Sequence, residues 1–304
     1  MQPALQPADL NVWWRMIRPH TLTASFIPVF AGTAMALSDG GFRADLFFAM
    51  LLASLLIQGA TNMVNEYYDY VRGLDNEQSV GIGGTIVRDG VAPVTVRNLA
   101  FAFYGLAVLL GVYICSETSW WVAVAGTVSI LVSYFYSAGP LPISSTPLGE
   151  LFSGLFMGPV IILIAYFIQT GSLSAAAVCV SVSFGLTIGA INLSNNIRDR
   201  DGDASHGRRT LPVLLGRPKS IGLLAAMFAV AFVWIGLLAA WGLVTPWTLL
   251  VLLSIPKAVQ AVRGFVGKRT PVDMMPAMKS TAQLNTFFGM LLSIGFVIGF
   301  FVAP

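Results

Sequence analysis

The stretch Asn62-Met-Val-Asn65-Glu66-Tyr-Tyr-Asp69, closed by Asp75, ends one long apolar run, and Asn192-x3-Asn196-x2-Asp199-x3-Asp203 ends another. Side chains three, four or seven positions apart share a helix face. Asn62, Asn65 or Glu66, and Asp69 therefore form one stripe, and Asn192, Asn196, Asp199 and Asp203 a second. A carboxylate in apolar surroundings without a partner is costly or takes up a proton. In a chain with only 14 acidic residues, two such oxygen-rich ladders predict bound cations.

Composition gives the class of protein in which the ladders sit. Of 304 residues, 56% are hydrophobic and 10% charged, against ~25% charge in an ordinary soluble domain. The expected fold class is an all-α integral membrane protein. Runs of about 20 apolar residues can cross a ~30 Å hydrocarbon layer, and nine are read, at roughly 21–38, 44–66, 96–115, 119–137, 150–170, 173–195, 219–241, 246–262 and 282–302. They predict nine transmembrane helices in a single membrane-embedded domain, 1–304, capped by loops at about 67–95 and 197–218. No linker is long enough to divide the chain.

Basic residues set the expected orientation. With nine crossings, all but Arg43 of the 17 Lys and Arg fall on the side of Arg15 and Arg18, including Arg72, Arg88, Arg97, the group from Arg198 to Lys219, Lys257 and the group from Arg263 to Lys279. The positive-inside rule then predicts a cell (cytoplasmic) membrane protein with the N-terminus and both ladders cytoplasmic and the C-terminus outside. Topology accounts for the net charge of +3, so nothing calls for nucleic acid. The first apolar run follows Arg15 and Arg18 and contains Ala34-Met-Ala36, but it is longer than a secretion-signal core and eight more runs follow, so no cleavage is expected. Cys115 and Cys179 are isolated and carry no metal or redox motif.

Both cytoplasmic loops are unusual. The first carries Arg72, Glu77, Gly81, Gly83, Gly84, Thr85, Arg88 and Asp89, whose glycines allow backbone N–H groups to crowd an anion; the second packs Asp199, Asp201, Asp203, Arg208, Arg209 and Thr210 into a short span. Opposed carboxylates with nearby arginines fit a diphosphate bridged by magnesium, a hard ion that shares substrate phosphate oxygens, while Arg donates bidentate hydrogen bonds to phosphate. No GxxxxGK[ST], HExxH or GxSxG occurs, and the histidines are only His20 and His206, which gives no support to nucleotide hydrolysis, zinc proteolysis or serine hydrolysis.

The strings RPHTLTASFIPVFAGTA (18–34), NEYYDYVRGLD (65–75), VGIGGTIVRDGV (80–91), SYFYSAGPLPI (133–143) and NLSNNIRDRDGDASHGRRTLPVLLG (192–216) together resemble the UbiA superfamily of membrane prenyltransferases. The resemblance implies helices arranged around a central cavity and Mg²⁺-dependent transfer of a prenyl chain from prenyl diphosphate to an aromatic acceptor. It also implies two metal-binding motifs, Asn65, Asp69 and Asp75 in the first and Asn192, Asn196, Asp199 and Asp203 in the second. Glu66 stands where the family more often has Asp and is read as a further ligand. Asn192 and Asn196 replace Asp of many 4-hydroxybenzoate enzymes, a pattern of the branch that uses 1,4-dihydroxy-2-naphthoate, in menaquinone biosynthesis; 4-hydroxybenzoate and homogentisate are the alternative acceptors.

Asp69, Asp199, Asp203 and Asn65 are the expected catalytic residues. Arg72, Arg88, Arg198 and Arg209 are the candidates for diphosphate, and Arg18, Tyr134 and Asn62 for the acceptor; Tyr136, Lys279 and Gln283 lie near the same membrane edge. A transporter or lipid-binding scaffold is the alternative of a different class. Transporters place ionisable groups or broken helices near the bilayer midplane, whereas here the centres of the runs are almost free of charge.

Overall fold

The computed structural model describes residues 10–75 and 84–302. The glycine-rich stretch at 81–83, proposed above to crowd an anion, and Glu77 lie outside the described residues. A short helix, α1 (Leu10–Met16), is followed by α2 (Thr23–Ser38), α3 (Ala44–Val71), a single turn α4 (Thr85–Arg88), α5 (Pro93–Glu117), α6 (Trp121–Ser137), α7 (Gly149–Thr170), α8 (Ala175–Ser205), another single turn α9 (Leu211–Leu215), α10 (Arg217–Ala240), α11 (Pro246–Phe265) and α12 (Pro271–Val302). No strand occurs among the described residues. By length and composition, the 7 helices α3, α5, α7, α8, α10, α11 and α12 can cross a membrane, and the apolar helices α2 and α6 are shorter, at 16 and 17 residues.

Local chemistry marks the helix starts. Proline occupies the first turn of α5, α10 and α11, where its missing N–H has no partner to lose. Ser174 caps α8, its Oγ accepting from Ala177 N at 3.1 Å, which supplies one of the orphaned first-turn amides. Two helices run further than their apolar content predicts. α3 extends to Val71 and α8 to Ser205, so both polar stripes lie on continuous helix; the intrahelical ladder needs no apolar side chains to continue past the hydrocarbon edge.

Most of the core gathers where α2, α8, α10 and α12 meet, around Ile27, Phe184, Leu193, Leu224 and Phe288. α7 lies backbone-to-backbone on α8. A Cβ on Gly154 would stand 2.5 Å from the Gly185 carbonyl oxygen, and one on Gly158 would stand 2.7 Å from the Gly185 nitrogen, so only glycine permits the seam. α7 also carries a π-helical turn, Phe156–Val160, around Pro159. The opposite wall is different: α6 buries only Ser137 within the protein, and Val124, Val128, Leu131 and Phe135 stand exposed along it. Near the end of the fold away from the stripes, Arg43 bridges Asp45 at 2.6 Å and Glu117 at 2.8 Å, and Tyr113 donates to Asp45 at 2.8 Å, joining α3 to α5.

Candidate active site

A cavity of about 1670 Å³ is enclosed by α2, α3, α5, α6, α7, α8 and α12. Both stripes line one end of it, through Asn65, Asp69 and Asp75 on one side and Asn192, Asn196, Asp199 and Asp203 on the other. Away from them the walls become apolar, with Met50, Ile57, Ile114, Phe152, Phe156 and Ile164. Asp69 and Met50 both line the cavity from α3, and at 1.5 Å per residue they stand ~28 Å apart along its axis. A charged mouth thus opens onto a long apolar chamber.

On the α3 side the carboxylates of Asp69 and Asp75 make no hydrogen bond or ion pair with any described residue. Burial pushes the Asp75 carboxyl above its usual range; Arg18 pulls it down most strongly, and Glu66 and Asp199 push it further up. The two stripes are therefore within electrostatic reach of each other. Asn65 accepts from Arg18 Nη1 at 3.1 Å and donates to Ser137 Oγ at 3.2 Å. Arg18 is the one non-glycine residue among those described with positive φ, at 53°. Its carbonyl is held by the Thr21 amide at 2.8 Å and the Thr21 hydroxyl at 2.9 Å, and its Nε is buried without a partner.

On the α8 side Asp199 is gripped by Arg198, with Nε to Oδ1 and Nη2 to Oδ2 both 2.6 Å. Asp203 is buried and accepts from Arg208 Nη1 at 3.0 Å and Thr210 Oγ1 at 3.4 Å. Asn196 donates to Glu150 Oε1 at 2.9 Å, which leaves its own carbonyl oxygen for the cavity, and Asn192 Nδ2 is buried and unpaired. These oxygens suit a hard divalent cation. Among the described residues no three His, Cys, Asp or Glu side chains converge to hold an ion by themselves. Such a set fits magnesium, which takes one or two carboxylates and completes its shell from water and substrate phosphate.

Several expected site residues lie elsewhere. Glu66 is fully buried and absent from the cavity wall; its Oε1 accepts from Thr85 Oγ1 and Ile86 N and its Oε2 is buried without a partner, so the structure places it away from the cavity-lining oxygens with which it was expected to hold a metal. Arg72 also misses the cavity, because its guanidinium is spent on the Ser137 and Gly139 carbonyls at 2.7 and 2.8 Å and lies over the Tyr68 ring. Arg209 points to solvent, and it is Arg208 that reaches the cavity, also donating to Ser144 and Ser145 hydroxyls at 3.2 Å. Tyr134 bonds Tyr68 outside the cavity at 2.9 Å, whereas Tyr136 lines it. Asn62 reaches the wall, but its amide is engaged by Ile17 O, Thr21 Oγ1 and Gln58. Arg88, Lys279 and Gln283 line the cavity, and Asn195, which no spacing argument singled out, joins them.

This architecture defines a class: an all-α protein of membrane-length apolar helices whose oxygen-lined, arginine-flanked mouth opens onto an apolar chamber. The model of the UbiA prenyltransferase family matches residues 25–288, and the chain belongs to that family. The 1,4-dihydroxy-2-naphthoate octaprenyltransferase of Bacillus subtilis (strain 168) is 53% identical over 96% of this chain and 94% of its own length. The enzyme of the same description from Escherichia coli (strain K12) is 25% identical over 98% of this chain and 97% of its own. Among solved structures, a UbiA homolog from Archaeoglobus fulgidus bound to GPP and Mg²⁺ superposes with a TM-score of 0.68 at 14% identity, covering 93% of this chain and 99% of that one. The apo UbiA homolog from Aeropyrum pernix K1 gives 0.68 at 18% identity, covering 92% and 98%.

Proposed function

We propose that the protein transfers a polyprenyl group from prenyl diphosphate to 1,4-dihydroxy-2-naphthoate, the acceptor named for its 53% identical relative. The observation that carries this reading is the shape of the cavity, which runs ~28 Å along α3 from Asp69 to Met50, with carboxylates and arginines at its mouth and mainly apolar walls at its far end. A diphosphate fits the mouth and a prenyl chain the chamber. Arg88, Arg208 and Lys279 face the mouth and supply the positive charge on this chain that binds and orients the leaving group. Asp69, Asp75, Asp199, Asp203 and the amide oxygens of Asn65 and Asn196 are the oxygens from which one or two carboxylates per ion would hold magnesium, and bound magnesium would supply the charge that neutralises the departing diphosphate.

The allylic C–O bond breaks with its electron pair on diphosphate, the ring's electrons form the new C–C bond, and the ring carboxylate leaves as CO₂. Arg18, held by Asn65, orients the acceptor carboxylate, and the apolar wall keeps water from the electron-poor carbon. In the bilayer the helices make nine crossings, α2 and α6 included, with the mouth in the cytoplasm and the C-terminus outside. The test is turnover by the purified protein with Mg²⁺, a prenyl diphosphate and, separately, 1,4-dihydroxy-2-naphthoate, 4-hydroxybenzoate and homogentisate, following prenylated product, diphosphate and CO₂. Turnover chiefly with the naphthoate is expected. Preference for another acceptor overturns the acceptor assignment, and no diphosphate release with any of them overturns the enzyme reading.

A further inference from the structure

Glu66 belongs by sequence to the first stripe and yet turns away from the cavity into the protein. Asp69 comes three residues later, so at 100° per residue the two side chains diverge by ~60° around the α3 axis. Burying a carboxylate costs free energy that its hydrogen bonds must offset; the Oε2 of Glu66 is buried without a partner, so the two donors to Oε1 carry all of that compensation. Glu66 Oε1 accepts from Thr85 Oγ1 at 2.5 Å and from the Ile86 backbone amide at 3.0 Å. Both donors belong to the single turn α4. The next two residues of that turn, Val87 and Arg88, line the cavity.

The rest of the turn is held on the same plan. Thr85 is buried, and Ile86 packs into a cluster with Met16, Met63, Val64 and Tyr104. Gly84 precedes the turn with φ of 97°, and a Cβ there would stand 3.6 Å from Arg88 Nε. Beyond it, Asp89 accepts from Arg15 at 2.8 Å, but that pair is exposed and contributes little. Glu66 is thus the buried polar anchor of the turn.

We infer that Glu66 is a positioning residue: its carboxylate clamps Thr85–Arg88 to α3 and thereby holds the Arg88 guanidinium at the cavity mouth. The functional part of this inference rests on the proposed diphosphate role of Arg88; the clamp itself does not. A ligand role for Glu66 makes the opposite demand, because Gln keeps an accepting oxygen for Thr85 and Ile86 but loses the charge a cation needs.

The experiment uses the full chain, measuring backbone hydrogen exchange over residues 84–90 together with separate KM values for prenyl diphosphate, acceptor and Mg²⁺. Glu66→Ala is expected to raise exchange over that segment and to raise the prenyl diphosphate KM by ~10-fold or more, the size of one charge-assisted hydrogen bond, with acceptor KM unchanged. Thr85→Val, which removes one donor and spares the carboxylate, moves both readouts the same way by less and serves if Glu66→Ala fails to fold. Glu66→Gln restores exchange and prenyl diphosphate KM and leaves Mg²⁺ dependence unaltered. Glu66→Ala combined with Arg88→Ala is no worse than Arg88→Ala alone, since residues acting as a unit are non-additive.

Unchanged exchange over 84–90 in Glu66→Ala, or in Thr85→Val where the alanine variant does not fold, overturns the clamp. A raised Mg²⁺ requirement in Glu66→Gln restores the ligand role and likewise overturns it. Additive losses in the double variant overturn action through Arg88. Arg88→Ala with unaltered prenyl diphosphate KM overturns the diphosphate role of Arg88 instead, and exchange still decides the clamp.

Discussion

Arg18→Lys isolates one head group with little change to the backbone. Arg18 sits at φ 53°, ψ 67°, a left-handed conformation that costs a residue with a Cβ about 1–2 kcal/mol. Lysine has the same Cβ and bears the same cost, so folding stability should be nearly unchanged. What disappears is the planar fork: Nη1 donates to Asn65 at 3.1 Å and Nε is buried without a partner, which leaves the guanidinium donors to spare for a carboxylate. A charge-assisted hydrogen bond contributes ~1.5–3 kcal/mol net, and at 1.4 kcal/mol per decade the acceptor KM should rise by ~10- to 100-fold. The prenyl diphosphate KM should change by less than about threefold, since lysine keeps the long-range charge. Steady-state kinetics with each substrate varied in turn provide the assay. A rise in prenyl diphosphate KM at constant acceptor KM would move Arg18 to the leaving group, and no change in either would reduce it to an anchor at the membrane edge.

Asp69→Asn should lower turnover by orders of magnitude with little loss of thermal stability, because the carboxylate has no hydrogen-bond partner to lose; wild-type turnover at saturating Mg²⁺ would refute its role. Arg72→Ala removes two bonds to the Ser137 and Gly139 carbonyls and should cost about 2–4 kcal/mol of stability, read as a lower Tm, with prenyl diphosphate KM unaffected. Arg208→Ala strips buried Asp203 of its ion pair and should cost ~3–5 kcal/mol as well as turnover, whereas Arg209→Ala should stay within ~0.5 kcal/mol of wild type in stability and keep its activity; equal effects would show that the cavity does not distinguish the pair. Single cysteines at Ser205 and Gly40, in a background lacking Cys115 and Cys179, should react with an impermeant thiol reagent from outside only at position 40.

The sequence predicted faces of helices more securely than individual side chains. Asp69, Asp199 and Asp203 were legible because their spacing places them on one side of a 3.6-residue helix whatever its tertiary partners. Neighbours are only one angular step apart, so packing decides between them. Asn65 and Glu66 both fitted the first stripe, and the Thr85–Arg88 turn, distant in sequence, claims Glu66. Tyr134 and Tyr136 end the same helix and are separated by which of them meets Tyr68. Arg208 and Arg209 lie in irregular chain with no period to read; only the position of Asp203 and of the Ser144 and Ser145 hydroxyls selects the first. Arg72 looked like a phosphate ligand until the carbonyls at the end of α6, which no local pattern announces, were seen to occupy it.

The contrast between the two walls of the chamber makes the surrounding lipid part of the enzyme. On one side the glycine seam between α7 and α8 locks main chain against main chain, and the spacing there is set by the polypeptide alone. On the other, Ser137 is the one fully buried residue of α6, and Val124, Val128, Leu131 and Phe135 are exposed along its outer face, where acyl chains would pack. The lipid or detergent that covers α6 is therefore expected to influence chamber width, and a change of detergent to alter the fit of a long prenyl substrate without any change in the chain itself.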